Sequence, residues 1–119
     1  MERETFIERF TTANSTVDTN QIANVLTNSI ESNLYDGNPR GHRNLIIVME
    51  ELAELSTALS KVLRDKGDLV NTLEELADVQ IGIYYVQEIC GITNEELQKA
   101  INVKIDNLQC ALAEHGIYK

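Results

Sequence analysis

The fold is decided by residues 43–90, which read RNLIIVMEELAELSTALSKVLRDKGDLVNTLEELADVQIGIYYVQEIC. Apolar residues recur here every three or four positions, a spacing that predicts helices rather than strands. We expect one helix from about Arg43 to Arg64 and another from about Leu69 to Cys90, with Gly91 in the position that a helix C-cap prefers. The connection around Lys66-Gly67-Asp68 is short, which favours antiparallel packing of the two helices.

Helical patterns also dominate on both sides of this stretch. A short leading helix is predicted over about Glu2–Phe10, and a second helix follows the capping residues 15–19. Residues 35–41 have the composition of a loop, and a capping box at Thr93–Glu96 opens a last helix that stops at Gly116. We therefore predict a single all-α domain over residues 1–119, with a four-helix-bundle core of antiparallel helices and a short extra N-terminal helix.

Composition excludes several classes of function. The 119 residues carry 19 acidic and 10 basic side chains, a net charge of −9 that argues against a broad nucleic-acid surface. The N-terminus has no apolar signal region and no stretch approaches 18 apolar residues, so we expect a cytoplasmic protein without a membrane segment. Cys90 and Cys110 form no CxxC pair, and we interpret them as reduced thiols.

The feature that indicates chemistry is an acidic phrase that occurs twice. It reads EELAEL at residues 50–55 and EELADV at residues 74–79. On a helical wheel Glu51 falls inside the apolar arc of the first helix, and Glu54 lies at the shoulder of that arc. Glu75 and Asp78 occupy the same two places on the second helix. Acids inside a buried stripe are not part of a solvated face.

Burial of these acids requires compensation. An unpaired carboxylate in a helical core costs several kcal/mol, and acidic neighbours add repulsion. Either protonation or a divalent cation relieves this cost. Acid pairs spaced i,i+3 on two antiparallel helices can converge on one point, and ligands that are all oxygen suit Mg²⁺ or Mn²⁺ rather than zinc. A di-iron bundle would require Glu-x-x-His pairs, and neither His42 nor His115 has that spacing.

These residues resemble a known family. The pairs Glu51-x-x-Glu54 and Glu75-x-x-Asp78, each preceded by Glu, resemble the MazG-like, all-α nucleoside triphosphate pyrophosphohydrolases, to which dimeric dUTPases and dCTP pyrophosphatases are related. The resemblance covers about Arg43 to Asn107. It implies a four-helix-bundle core, often in dimers or tetramers, and Mg²⁺-dependent hydrolysis of a nucleoside triphosphate to the monophosphate and pyrophosphate. It also implies that Glu51, Glu54, Glu75 and Asp78 are the metal ligands.

The same resemblance suggests residues that bind substrate. Lys61 resembles the basic residue that follows the family's first motif, and Lys104 resembles the lysine on the helix after the second. The family often places an Asn and then an Arg after that lysine; here Asn107 matches loosely and the arginine is absent. For base recognition we consider the loop residues Tyr35, Asn38, Arg40 and His42, with Tyr84 and Tyr85 as alternatives.

The expected reaction needs a base that takes a proton from the attacking water. Glu54 and Glu50 are the candidate catalytic residues, and Glu54 is favoured because it lies nearer the apolar arc. Gly82 lies beside Glu75 on the wheel, and a helical glycine there indicates either close packing or room for a ligand.

Two further hypotheses concern assembly and an alternative function. Ile46, Met49, Val70, Ile81 and Tyr84 lie off the main apolar stripes, which predicts a homodimer or homotetramer with active sites near the subunit interface. The absent arginine motivates the alternative, a non-catalytic helical interaction or regulatory protein that keeps the bundle.

Overall fold

The computed structural model describes residues 3–31 and 42–116. This part of the chain is helical and contains no strand. In chain order its helices are α1 (Arg3–Thr12), α2 (Thr19–Glu31), α3 (His42–Leu63), α4 (Leu69–Cys90) and α5 (Asn94–Glu114). The predicted all-α fold is confirmed. The loop predicted at residues 35–41 lies outside the described residues.

Local capping signals set the ends of α4 and α5. The side chain of Asp68 accepts hydrogen bonds from the backbone N–H of Val70 at 2.9 Å and of Asn71 at 3.4 Å. Gly91 ends α4 with φ of 72°, a left-handed conformation that glycine adopts without strain. Thr93 and Glu96 form the predicted capping box, in which each side chain accepts from the other residue's backbone N–H, at 3.1 and 3.0 Å.

The most extensive packing lies between α3 and α4, and Gly82 permits it. Gly82 is buried, and a Cβ atom added there would lie 3.1 Å from Val48 Cγ1. The two backbones therefore approach closely at this point. Of the two explanations that the sequence offered for this glycine, close packing is the one observed. On the same side of α3, Ala58 is 2% exposed.

A small core joins α2, α3 and α4. Leu26, Val48 and Tyr85 form its buried cluster, with half-buried apolar residues around it. The hydroxyl of Tyr85 donates a hydrogen bond of 2.8 Å to Ser29 Oγ, so the one polar atom of this aromatic side chain is satisfied inside the core.

The last helix is barely covered by the described part of the chain. None of the residues of α5 is buried, and Ile101, Ile105 and Leu108 are 42%, 55% and 57% exposed. The described residues thus form a packed α3–α4 pair with α2 against α4. A closed four-helix bundle stays a prediction.

The described helices are also informative about membranes. None of them combines the length and the apolar character that a membrane-spanning segment needs.

Candidate metal centre

The seam between α3 and α4 brings three carboxylates together. Glu51 and Glu54 lie one helical turn apart on α3, and Glu75 approaches them from α4. One carboxylate oxygen from each residue lies within 4.8 Å of the other two. The close contact between Val48 and Gly82, further along the same seam, holds the two helices near enough for this convergence.

Two of the three acids place an oxygen out of reach of water. Glu51 and Glu75 are half-buried, and Oε2 of each is buried without a hydrogen-bond partner. Glu54 is exposed. A buried acceptor without a donor costs free energy, and a charged one costs more. Binding of a proton or of a cation to the cluster would therefore remove this cost.

The electrostatics of the seam follow from this burial. Burial, followed by the negative charges of Asp78 and Glu54, raises the pKa of Glu51 from 4.5 to about 7. Burial likewise raises the pKa of Glu75, followed by the charges of Glu54 and Asp78. Both acids thus hold a proton more tightly than a solvated glutamate does.

Asp78, the fourth predicted ligand, lies beside the three carboxylates but is not among the mutually close oxygens. Its side chain as a whole is exposed. Partial burial of its carboxyl and the charge of Glu54 raise the pKa of Asp78, and a hydrogen bond with Glu51 opposes the rise. Asp78 therefore lies near the cluster, at its rim, close enough to interact electrostatically with Glu51 and Glu54.

The donor set fits a hard divalent cation. All three converging groups are carboxylates, and oxygen is the ligand atom that Mg²⁺ and Mn²⁺ prefer. Oxygens bound to Mg²⁺ at about 2.1 Å lie about 3 to 4.2 Å apart, so only small side-chain rotations separate this cluster from such a shell. The unpartnered Oε2 atoms of Glu51 and Glu75 supply acceptors that no protein donor claims.

Apart from Glu54, the candidate catalytic and substrate-binding residues do not belong to the group of three converging acids. Glu50 is exposed on α3 and is not one of the three converging acids. Lys61, Lys104 and Asn107 are exposed, and within residues 3–31 and 42–116 the ion pair that is seen joins Lys99 to Glu95 instead. Neither lysine therefore neutralises the carboxylates in the chain as it stands.

Four of the residues predicted to recognise the base have side chains outside the described residues. Tyr35, Asn38 and Arg40 lie outside the described residues. His42 begins α3, but its side chain also lies outside them. Tyr85 packs in the core against Ser29, which removes it from the stacking candidates.

The sequence did not indicate a buried asparagine on the face of α3 that carries Glu51. Asn44 is 5% exposed, and its Nδ2 has no hydrogen-bond partner. It lies seven residues before Glu51, which places it on the same face of α3. That spacing is the signal that could have identified it.

No protein-family model, curated protein or solved structure matches the chain. The chemistry of the site must therefore be inferred from its own residues.

Proposed function

We propose that this protein is a Mg²⁺-dependent pyrophosphohydrolase of the MazG-like type, which converts a nucleoside or deoxynucleoside triphosphate to the monophosphate and pyrophosphate. The observation that supports the proposal is the convergence of Glu51, Glu54 and Glu75, with buried, unpartnered oxygens on two of them. These are residues of the doubled acidic phrase from which the sequence resemblance was argued.

The cluster would hold Mg²⁺, or Mn²⁺ in its place, through Glu51, Glu54 and Glu75, with Asp78 at the rim as a further ligand. The bound ion would neutralise the triphosphate and favour ionisation of the attacking water. The protein's own part is to keep the carboxylates close together in a partly dry seam, where their charges act strongly on a bound cation.

The hydrolytic step needs a base within reach of solvent. Water oxygen forms a bond to the α-phosphorus, the bond from that phosphorus to the bridging oxygen breaks, and pyrophosphate leaves. Glu54 takes the water's proton in our preferred assignment, because it is exposed and also touches the cluster. Glu50 is the alternative base.

Phosphate and base contacts belong to this proposal as well. We assign phosphate contacts to Lys61 and Lys104, with Asn107 beside the latter, and base contacts to Arg40 and His42. Because the chain alone does not bring Lys104 into an ion pair with the acids, the assembly of subunits is part of the proposed site.

Assembly into a homodimer or homotetramer is supported by the exposed surface. Ile46, Met49 and Ile81 lie off the main apolar stripes, and they are 45%, 68% and 49% exposed. Exposed apolar side chains of this kind favour burial against a second subunit. Light scattering after size exclusion measures the mass directly, and a monomer would contradict this part of the proposal.

Activity is tested with a panel of ribo- and deoxyribonucleoside triphosphates in the presence of Mg²⁺. We expect monophosphate and pyrophosphate as the separated products, and no turnover in the presence of EDTA. Glu51→Gln and Glu75→Gln should abolish activity. Glu114→Gln removes the same charge at the exposed end of α5 and serves as the control. Release of orthophosphate, or turnover that survives both substitutions in the cluster, would contradict the assignment.

The second candidate function is a non-catalytic helical interaction protein. The exposed apolar residues of α5 favour it, together with the missing arginine. Thermal melts distinguish the two candidates. A metal enzyme gains stability from Mg²⁺ because the ion binds only the folded state, and Glu75→Gln removes that gain. An interaction protein shows no shift with Mg²⁺ and is stabilised by Glu75→Gln.

A further inference from the structure

A cleft of about 390 Å³ lies at the opposite end of α4 from the acidic cluster. Its walls come from the first half of α2, the last turns of α4 and the turn that leads into α5. Gln87 lines it, and twelve residues of helix separate Gln87 from Glu75, which corresponds to about 18 Å along the axis. The cleft is therefore distinct from the proposed metal site, and its volume falls within the usual range of small-molecule sites.

Gln87 is a buried residue of the cleft wall whose side chain has an acceptor without a hydrogen bond. The residue is 8% exposed, so its side chain is more than nine-tenths buried. Its Nε2 donates a hydrogen bond of 2.9 Å to Asn94 Oδ1, another wall residue, but its Oε1 has no partner. A buried amide oxygen without a donor costs free energy. This oxygen is buried in the free chain, so a ligand in the cleft reaches it by turning the Gln87 amide, and an N–H group brought to Oε1 in this way would remove that cost.

The charge at the cleft favours a cation. Glu88 lines it and is the sole ionisable carboxylate among the described wall residues, none of which is Lys, Arg or His. Thr27 Oγ1 donates to Glu88 Oε1 at 3.3 Å, so the second carboxylate oxygen stays available for a ligand.

Apolar surface completes the recognition. Ile22, Leu26 and Ile92 line the cleft beside the ring of Tyr84. Apolar surfaces of this kind bind the body of a ligand, while a few polar groups orient its head. We propose that the cleft binds a small organic cation, with its apolar body against these residues and its N–H donors directed at Gln87 Oε1 and Glu88. This site does not depend on the proposed hydrolysis.

Three ligands of the same shape test the proposal. Benzamidine is a planar cation with N–H donors, benzamide is its neutral counterpart and benzoate is its anionic counterpart. Titration of each into the ¹⁵N-labelled full chain should give saturable shifts at the Gln87 side-chain amide and at Ile92. We expect benzamidine to bind most tightly and benzoate not at all, with the same affinity for benzamidine in the presence of Mg²⁺.

Matched variants then locate the interaction. Gln87→Met keeps the side-chain length but removes the acceptor, and should weaken benzamidine binding about three- to tenfold. Glu88→Gln should weaken it about two- to fivefold, since this carboxylate is exposed and screened. Glu114→Gln removes the same charge far from the cleft and should leave the affinity unchanged.

Three outcomes would overturn the proposal. Benzoate could bind as tightly as benzamidine, or the benzamidine shifts could centre on Glu51 and Glu75, where any cation is attracted. Both Gln87→Met and Glu88→Gln could also leave the affinity unchanged. Glu88 is an exposed residue, so its variant tests the site even if the substitution at buried Gln87 impairs folding.

Discussion

Replacement of Glu51 by glutamine should stabilise the metal-free chain at neutral pH. The pKa of this carboxyl is about 7 in the folded chain, against 4.5 for a solvated glutamate. The folded state therefore holds a proton that the unfolded state releases as the pH rises above 4.5. The stabilising contribution is complete below the unfolded pKa and is lost as the pH rises through the folded one. The natural chain carries this loss at neutral pH, whereas a neutral amide at the same position does not titrate.

The size of the effect follows from the shift and from exposure. One pKa unit corresponds to about 1.4 kcal/mol, so a fully shielded group with this shift would lose about 3 kcal/mol. Glu51 is half-buried and its neighbour Glu54 is exposed, so water screens part of the repulsion. We therefore expect a loss of about 1–2 kcal/mol in the free energy of unfolding between pH values of about 5 and 8.

Urea denaturation in EDTA measures this loss. Glu51→Gln should lack it and should be about 1–2 kcal/mol more stable than the natural chain at a pH of about 8. Glu50→Gln removes the same charge from an adjacent exposed position and should keep the pH dependence. Mg²⁺ should restore stability to the natural chain but not to Glu51→Gln. An equal pH dependence in both chains, or a less stable Glu51→Gln at neutral pH, would refute the electrostatic account of the seam.

Three further predictions concern the fold. Gly82→Ala should lower stability by about 1 kcal/mol in urea denaturation, because contact with Val48 outweighs the gain in helix propensity, and adding Val48→Ala should recover part of the loss contributed by that contact. Thr93→Ala should cost about 1 kcal/mol in a thermal melt through loss of the capping box, and an unchanged melt would mean that the N-terminus of α5 does not contribute to stability. Tyr85→Phe should cost about 1 kcal/mol by removing the hydrogen bond to Ser29, and an equal stability of the two chains would show that this bond contributes nothing net.

The ends of the helices could be predicted because their signals are local. Asp68 and Gly91 flank α4, and the capping box at Thr93 opens α5; each acts within a few residues of its own position. The end of α3 at Leu63 differs by one residue from the expected end at Arg64, and α1 ends at Thr12, two residues beyond the expected Phe10. Helix ends depend on single hydrogen bonds, so differences of this size are ordinary.

The sequence predicted the part of the candidate site that depends on the direction of each side chain around its helix axis. A helical wheel gives the direction of Glu51 and Glu75, and both directions point into the seam where these residues are found. It does not give the register of one helix along the other, which the contact between Val48 and Gly82 determines. Asp78 therefore lies at the rim although its wheel position matches that of Glu54.

Tertiary contacts account for what the sequence did not reveal. Gln87 resembles an ordinary surface residue in the sequence, but in the fold it is buried and donates a hydrogen bond to Asn94 at the start of α5. For α5 the apolar stripe predicts that something must cover Ile101 and Ile105, but a stripe contains no information about its partner.

The place of the acids within the fold is itself evidence for function. The α3–α4 pair is the best-packed part of the described chain, and the cluster of Glu51, Glu54 and Glu75 lies within it. Apolar side chains in place of the half-buried Glu51 and Glu75 would stabilise a helix pair whose core is already small, whereas acids at these two positions destabilise it. Residues that lower the stability of a fold occur mainly at functional sites. The carboxylates that repel one another in the metal-free chain would each attract a cation bound between the two helices. The stabilities of the metal-free and metal-bound chains should therefore differ most at neutral pH.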